Sequence, residues 1–212
     1  MKKVIIFDFD GTLADTLQTL VGITNRLSEE FGYPKTKPDE VVQLQHLSTR
    51  QIVQRSGIPV FKLPFLMRRV RLELRQDIQS VEIFPQIKET LMDLKAQGYL
   101  LYILTSNTKD NVSHVLQRHG VLDLFISIYS GSNLFGKSRV IRKLLKREKL
   151  NRLQAIYVGD ETRDILAARQ AQIKVIAVGW GFNSPEVLSE YSPDALAQSP
   201  GELSQIIHQF AC

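Results

Sequence analysis

Short apolar runs alternate with helical patterns over most of this 212-residue chain. Apolar runs rich in β-branched residues predict buried strands at 3–7, 100–104, 154–158 and 174–178, with a further short strand at 124–129. Apolar residues at helical spacing predict helices between these strands, among them 110–119, 138–150 and 162–171. Strands that alternate with helices in this way predict a parallel sheet covered by helices on both faces.

One long segment, from residue 16 to residue 80, interrupts this alternation directly after the first strand. It contains helical patterns at 17–31, 39–47, 49–55 and 63–78, and no convincing buried strand. We therefore predict an inserted all-helical domain at residues 16–80. Residues 1–15 and 81–212 then form an α/β core domain.

The composition is that of an ordinary globular protein, with 43% hydrophobic and 23% charged residues. No run is long enough to span a membrane, and no signal-peptide pattern is visible, so we expect no membrane association. The single cysteine, Cys212, excludes a disulfide framework and a cysteine-based metal cluster. This cysteine usage favours a cytoplasmic location.

The net charge of +5 suggests an anionic partner, either nucleic acid or a small phosphorylated molecule. The basic run that includes Arg139, Arg142 and Lys143 has no interleaved aromatic residues, so we interpret it as a solvated helix face rather than a nucleic-acid patch. Residues 16–80 hold ten Lys/Arg and six Asp/Glu, a difference of +4. A cationic lid of this kind suits a small substrate with a second anionic group, such as a carboxylate. The oligomeric state is left open.

Three of the predicted strands end in polar residues. These residues are Asp8, Asp10 and Thr12 after the first strand, Thr105, Ser106 and Asn107 after the second, and Asp160, Glu161 and Asp164 after the third. Because ligands bind at the carboxyl ends of strands in open α/β sheets, the three stretches predict a single site. Crowded carboxylates without nearby His or Cys favour a hard cation, Mg²⁺ above all, and Mg²⁺ often accompanies phosphate. One of the first two aspartates can attack phosphorus, as in aspartyl-phosphate chemistry, while the other handles protons.

The string DFDGTLADT, which begins at Asp8, resembles the first motif (D-x-D-G-T) of the haloacid dehalogenase superfamily. LTSN is similar to the second motif, Lys137 in GKSRVI resembles the third-motif lysine, and GDETRD resembles the fourth motif, all in family order. The helical insert resembles the C1 cap of the phosphoglycolate-phosphatase-like branch. The resemblance implies a Rossmann-like parallel sheet flanked by helices, with an inserted all-helical C1 cap.

The resemblance also implies catalytic roles for four residues. Asp8 would be the nucleophile, and Asp10 would protonate the leaving group and then activate water. Thr105 would hold the phosphoryl oxygens, and Lys137 would neutralise charge.

Further residues would bind the metal and the substrate. Mg²⁺ would be held by Asp8, the backbone carbonyl of Asp10 and Asp160, with Asp164 supporting that shell or the lysine. Ser106, Asn107 and Arg50 are predicted to bind substrate, and the role of Glu161 stays open.

The predicted reaction is Mg²⁺-dependent hydrolysis of a small, phosphoglycolate-like phosphate monoester. One alternative is a phosphomutase of the β-phosphoglucomutase type, which would share the core. Another is a catalytically inactive regulatory or binding module, against which the four intact motifs argue. A dehalogenase is disfavoured because that chemistry has no use for Asp10 as a proton donor.

Overall fold

Eight strands and ten α-helices lie in the part of the chain that the computed structural model describes, residues 3–130 and 136–211. In chain order the strands are β1 (Val4–Phe7), β2 (Ala14–Asp15), β3 (Glu82–Ile83), β4 (Leu100–Leu104), β5 (Phe125–Tyr129), β6 (Ala155–Gly159), β7 (Lys174–Val178) and β8 (Ala195–Ala197). The helices are α1 (Leu17–Phe31), α2 (Pro38–Gln45), α3 (Thr49–Ser56), α4 (Leu63–Asp77), α5 (Ile87–Ala96), α6 (Lys109–Arg118), α7 (Lys137–Arg147), α8 (Thr162–Ala171), α9 (Pro185–Glu190) and α10 (Pro200–Ala211). Cys212 lies outside the described residues.

Six strands form one parallel sheet in the order β5-β4-β1-β6-β7-β8. The first strand of the chain is therefore central, with β4 on one side and β6 on the other. Phe7 is level with Ile103 of β4 and with Val158 of β6. Since the strands run in the same direction, the residues that follow all three emerge at one edge of the sheet. The predicted parallel sheet is confirmed.

The side chains of β1 alternate between two buried layers, as in any strand. Ile5 and Phe7 face an apolar cluster that includes residues of α1, α4, α5, α6 and α10. Val4 and Ile6 face a second cluster with residues of α7, α8 and α9. All four residues are buried, which explains why this strand reads as a continuous apolar run rather than as an alternating one.

A two-stranded antiparallel ribbon, β2 and β3, joins the sheet to the helices α1–α4. Ala14 pairs with Ile83, so the chain leaves and returns at neighbouring positions. We call residues 16–80, which contain α1–α4, the helical segment. Its apolar residues, such as Ile23 of α1 and Leu74 of α4, belong to the same buried cluster as one face of the sheet. The division of the chain into two domains stays a prediction.

The sequence pattern does not predict the short strands β2, β3 and β8 or the short helix α9. The ribbon strands have two residues each and β8 has three, which is too short for a hydrophobic period to appear. Helix α9 has six residues and begins at Pro185 after its cap, Ser184. Among the described residues, no helix is both long and apolar enough to cross a membrane.

Candidate active site

Three buried carboxylates meet at the carboxyl edge of the sheet. Asp8 follows β1, Asp160 follows β6, and Asp164 lies in the first turn of α8. One carboxylate oxygen from each lies within 4.8 Å of the others. Asp8 is 3% exposed, and the other two are fully buried. The structure thus brings together the acidic residues that the strand ends predicted.

Asp160 is held by two donors from separate loops. The Thr12 hydroxyl donates to Oδ1 at 2.7 Å, and the Phe182 N–H donates to Oδ2 at 2.8 Å. Thr12 is in turn fixed by Trp180, whose Nε1 donates to its carbonyl oxygen at 3.1 Å. These contacts orient the carboxylate but leave lone pairs free on both oxygens.

Two glycines make room for this carboxylate. A Cβ at Gly11 would lie 2.1 Å from Oδ2 of Asp160, and one at Gly181 would lie 2.3 Å from the same atom. Gly11 also has a positive φ of 76°, a backbone conformation that residues other than glycine rarely adopt. The glycine of the D-x-D-G-T string therefore allows both the positive φ of this turn and the close approach of the Asp160 carboxylate.

Lys137, the first residue of α7, lies between two of the carboxylates. Its Nζ donates to Oδ2 of Asp8 and to Oδ1 of Asp164, and the residue is 2% exposed. Burial by itself lowers the pKa of Lys137, but the charges of Asp164 and Asp8 overcome that effect and raise the pKa above its ordinary value. The lysine therefore stays protonated as a fixed positive charge.

The carboxylates carry more negative charge than Lys137 compensates. Burial raises the pKa of Asp8 to about 7, although Lys137 acts in the opposite direction. Burial, together with the charges of Glu161 and Asp8, raises the pKa of Asp160 well above its ordinary value. A divalent cation among these oxygen-only donors would restore the ionised forms, and Mg²⁺ prefers such donors. The residues present thus fit the predicted metal.

Asp10 lies beside this cluster and is held by the loop that follows β4. Asn107 donates from Nδ2 to Oδ1 of Asp10 at 3.1 Å, and its own N–H bonds to the Thr105 hydroxyl at 3.0 Å. Burial raises the pKa of Asp10 to about 6, with the Asn107 hydrogen bond opposing the shift. Asp10 and Ser106 are half-buried, whereas Thr105 and Asn107 are buried.

Glu161 connects the site to the helical segment. Its Oε1 accepts a hydrogen bond from the Thr49 hydroxyl of α3 at 3.1 Å, and its Oε2 accepts from Arg163. Its N–H bonds to Oδ2 of Asp164 at 3.2 Å, which caps α8. Arg50, next to Thr49, is exposed and forms no hydrogen bond or ion pair with the described residues. Its predicted contact with substrate stays a prediction.

The turn between α2 and α3 is docked on the loop that holds Asp160. Gln45 donates from Nε2 to the carbonyl oxygen of Gly181 at 3.0 Å, and Ser184 N–H donates back to the Gln45 carbonyl at 2.9 Å. Asn183 donates from Nδ2 to the Leu47 carbonyl at 2.8 Å. These hydrogen bonds hold the helical segment against the site.

Sequence reasoning placed Thr12 among the polar residues after the first strand but gave it no role, and it did not single out Asn183 or Arg163, although each contacts the site or its loops. Thr12 belongs to the D-x-D-G-T string, so the motif itself could have singled it out. Asn183 accepts from the Thr162 N–H at 2.9 Å through Oδ1, and nothing in its local sequence signals this. Arg163 lies inside GDETRD, between two acidic positions, and only the structure shows that it is partly buried and pairs with Glu161.

The chain resembles known proteins over nearly its whole length. A family model described as haloacid dehalogenase-like hydrolase matches residues 5–178. A phosphoglycolate phosphatase of Synechococcus elongatus is 38% identical over 207 residues, 98% of each chain. A haloacid dehalogenase-like hydrolase structure from Streptococcus pneumoniae has a TM-score of 0.77 and 26% identity, and covers 97% of this chain and 98% of that one. A predicted phosphatase from Clostridium acetobutylicum shares the fold, with a TM-score of 0.83 and 21% identity over 99% of both chains. This chain belongs to the haloacid dehalogenase-like hydrolase family.

Proposed function

We propose that this hydrolase releases phosphate from a small anionic phosphate monoester, with phosphoglycolate as the first candidate. We further propose that the reaction requires Mg²⁺ and passes through a phosphoryl group on Asp8. The proposal includes a cap role for the helical segment and the cytoplasmic location predicted from the sequence. A phosphoglycolate phosphatase that is 38% identical over almost the whole chain supports this choice of substrate.

The observation that carries the proposal is the arrangement of one aspartate for attack and another for proton transfer. Asp8 is buried against Lys137, whereas Asp10 is half-buried and oriented by Asn107. A nucleophile benefits from a fixed neighbouring cation, because the cation stabilises its ionised form. A general acid and base works best with a pKa near the working pH, and the pKa of Asp10 is about 6.

The proposed reaction has two steps. In the first, an Asp8 oxygen bonds to phosphorus, the bond from phosphorus to the ester oxygen breaks, and Asp10 gives its proton to that oxygen. In the second, Asp10 takes a proton from water as the water oxygen bonds to phosphorus, and the bond to Asp8 breaks to release phosphate. Lys137 offsets negative charge on Asp8 and on the phosphoryl oxygens during both steps.

Asp8, Asp160 and Asp164 would hold Mg²⁺, since their oxygens lie together and carry excess negative charge. When bound, the ion supplies positive charge that keeps these carboxylates ionised and offsets charge on the phosphoryl group. The Thr12 and Phe182 hydrogen bonds keep Asp160 oriented for this role.

Phosphate release from a panel of monoesters, with Mg²⁺ and with EDTA, tests the proposal. We expect magnesium-dependent release that is greatest for carboxylated substrates and is lost in Asp8→Asn. Lys143→Met changes an exposed residue of α7 and serves as the control that keeps wild-type activity. Asp8→Asn with most of its activity intact would exclude Asp8 as nucleophile. Turnover that requires a bisphosphate activator would instead indicate a phosphomutase.

A further inference from the structure

Asn111, in the first turn of α6, is a buried polar residue that the proposed reaction does not use. It is 2% exposed, and its Nδ2 donates to Oδ1 of Asn107 at 3.1 Å. The same nitrogen donates to the carbonyl oxygen of Arg71, in α4 of the helical segment, at 3.4 Å. Both hydrogens of this NH₂ group are therefore used, and one of them bonds to the residue that contacts Asp10.

Asn107 is held so that its buried side-chain amide faces one way. Its Oδ1 accepts from the Thr108 N–H at 2.8 Å and from Asn111, while its Nδ2 donates to Oδ1 of Asp10 at 3.1 Å. Rotating the amide by half a turn would place its NH₂ group against two donors and its oxygen against the Asp10 carboxylate. A buried polar group without a matching partner is costly, so the two donors at Oδ1 keep Nδ2 turned toward Asp10.

Asn111 supplies one of the two donors that fix this orientation. Without it, Oδ1 of Asn107 would keep only the bond from Thr108, and the hydrogen bond that orients Asp10 would be less well defined. We infer that Asn111 is a positioning residue for proton transfer, which holds the Asn107 amide so that Asp10 stays directed at the ester oxygen. Asn111 acts through Asn107 rather than on the substrate. This inference rests on the proposed phosphatase function.

A purely structural role for Asn111, as a link between α4 and α6, makes a different prediction. Loss of such a link would lower activity toward all phosphate esters in the same proportion. Loss of the orientation of Asp10 would act only on esters whose leaving group needs a proton as its bond to phosphorus breaks. An alkoxide needs that proton from Asp10, whereas acetate is a weak base and leaves acetyl phosphate without it.

The experiment compares an alkyl ester, either 2-phosphoglycolate or the best alkyl ester of the panel above, with acetyl phosphate. The enzymes are the wild type, Asn111→Leu, Asp10→Asn and the control Gln117→Leu, which replaces an exposed amide of the same helix. The quantity compared is kcat/KM, because it covers only the steps up to release of the first product, before Asp10 acts on water.

For Asn111→Leu, we expect kcat/KM to fall roughly tenfold for the alkyl ester and by less than about twofold for acetyl phosphate, since a general acid contributes about 10²–10⁴-fold in all. Asp10→Asn should change the ratio in the same direction and by more. Gln117→Leu should keep the wild-type ratio.

The double variant Asp10→Asn with Asn111→Leu gives a second readout. If Asn111 acts through Asp10, the double variant should match Asp10→Asn within about twofold on the alkyl ester. This comparison needs one substrate only, so it decides the question if the wild type does not hydrolyse acetyl phosphate.

Equal losses for both esters in Asn111→Leu, no loss for either, or a further loss in the double variant would overturn the inference while leaving the phosphatase intact. If Asn111→Leu does not fold, Asn111→Ala takes its place in both comparisons. A wild type that hydrolyses no alkyl phosphate monoester would overturn the proposed function, and the inference with it.

Discussion

Replacing Lys137 by methionine removes the ammonium group that bonds to both Asp8 and Asp164 and keeps a side chain of similar length. Both carboxylates are almost fully buried, so water cannot take over the role of the ammonium group. The variant therefore leaves two like charges together without their common partner. We expect it to be much less stable than the wild type when no divalent cation is present.

The size of the effect follows from the burial of the ion pairs. Removing one partner of a buried pair costs about 3–5 kcal/mol, which is a large share of the roughly 5–15 kcal/mol that stabilises a typical domain. The loss should also depend on pH, because a proton can replace the missing charge. The pKa of Asp8 is about 7 with Lys137 present, and removing the cation raises it further. Above pH ~7 the wild-type Asp8 is ionised beside Lys137, whereas the variant must keep a proton on Asp8 or leave its charge uncompensated, so the loss should be greater at pH ~8 than at pH ~6.

Urea unfolding in EDTA, followed by circular dichroism at both pH values, measures this loss. Lys143→Met is the matched control, since Lys143 is exposed on the same helix. Adding Mg²⁺ should restore part of the stability, by about 2.7 kcal/mol at a concentration one hundred times its Kd. A Lys137→Met protein within about 1 kcal/mol of the wild type in EDTA at the higher pH would refute the reasoning.

Two further predictions concern the same cluster. Thr12→Val removes the hydroxyl that donates to buried Asp160, so we expect a loss of about 1–3 kcal/mol in urea unfolding and weaker Mg²⁺ binding by calorimetry. Thr12→Ser keeps the hydroxyl and should retain most of the stability and of the Mg²⁺ affinity. A valine variant that matches the serine variant in both measurements would contradict the role of the Thr12 hydroxyl in holding Asp160. The pKa of Asp10 rises from 3.8 to about 6 on folding, so the folded state binds its proton more tightly than the unfolded state. In EDTA, the wild type should therefore lose stability relative to Asp10→Asn as the pH rises from ~4 through ~6 and change little above it. A wild type that gains stability relative to Asp10→Asn over that pH range would show that folding does not raise the pKa of Asp10.

Local pattern was enough to predict most of the sheet and the edge that carries the candidate site. The four apolar residues of β1 are buried on both faces, and such a run predicts a central parallel strand without knowledge of its neighbours. The same holds for β4, β6 and β7. Asp8, Thr105 and Asp160 each follow one of these strands, so the sequence also predicted that they would meet at one edge.

The short strands could not be predicted in this way. Ala195–Ala197 forms β8 because it pairs with β7, and its own three residues carry no period. Ala14 belongs to a strand only because Ile83 lies opposite it. In both cases a pairing partner, rather than local pattern, decides the conformation.

By itself, then, the sequence determined the longer strands and most of the helices, and which acidic residues follow those strands. The tertiary structure alone decided which side chains complete the site. Thr12 reaches Asp160 across 148 positions, and Thr49 reaches Glu161 across 112. Hydrophobic periodicity reports local conformation and burial, and it carries no information on which distant polar atoms become neighbours. The first contact depends on the pairing of β1 with β6, and the second depends on how the helical segment packs on the sheet.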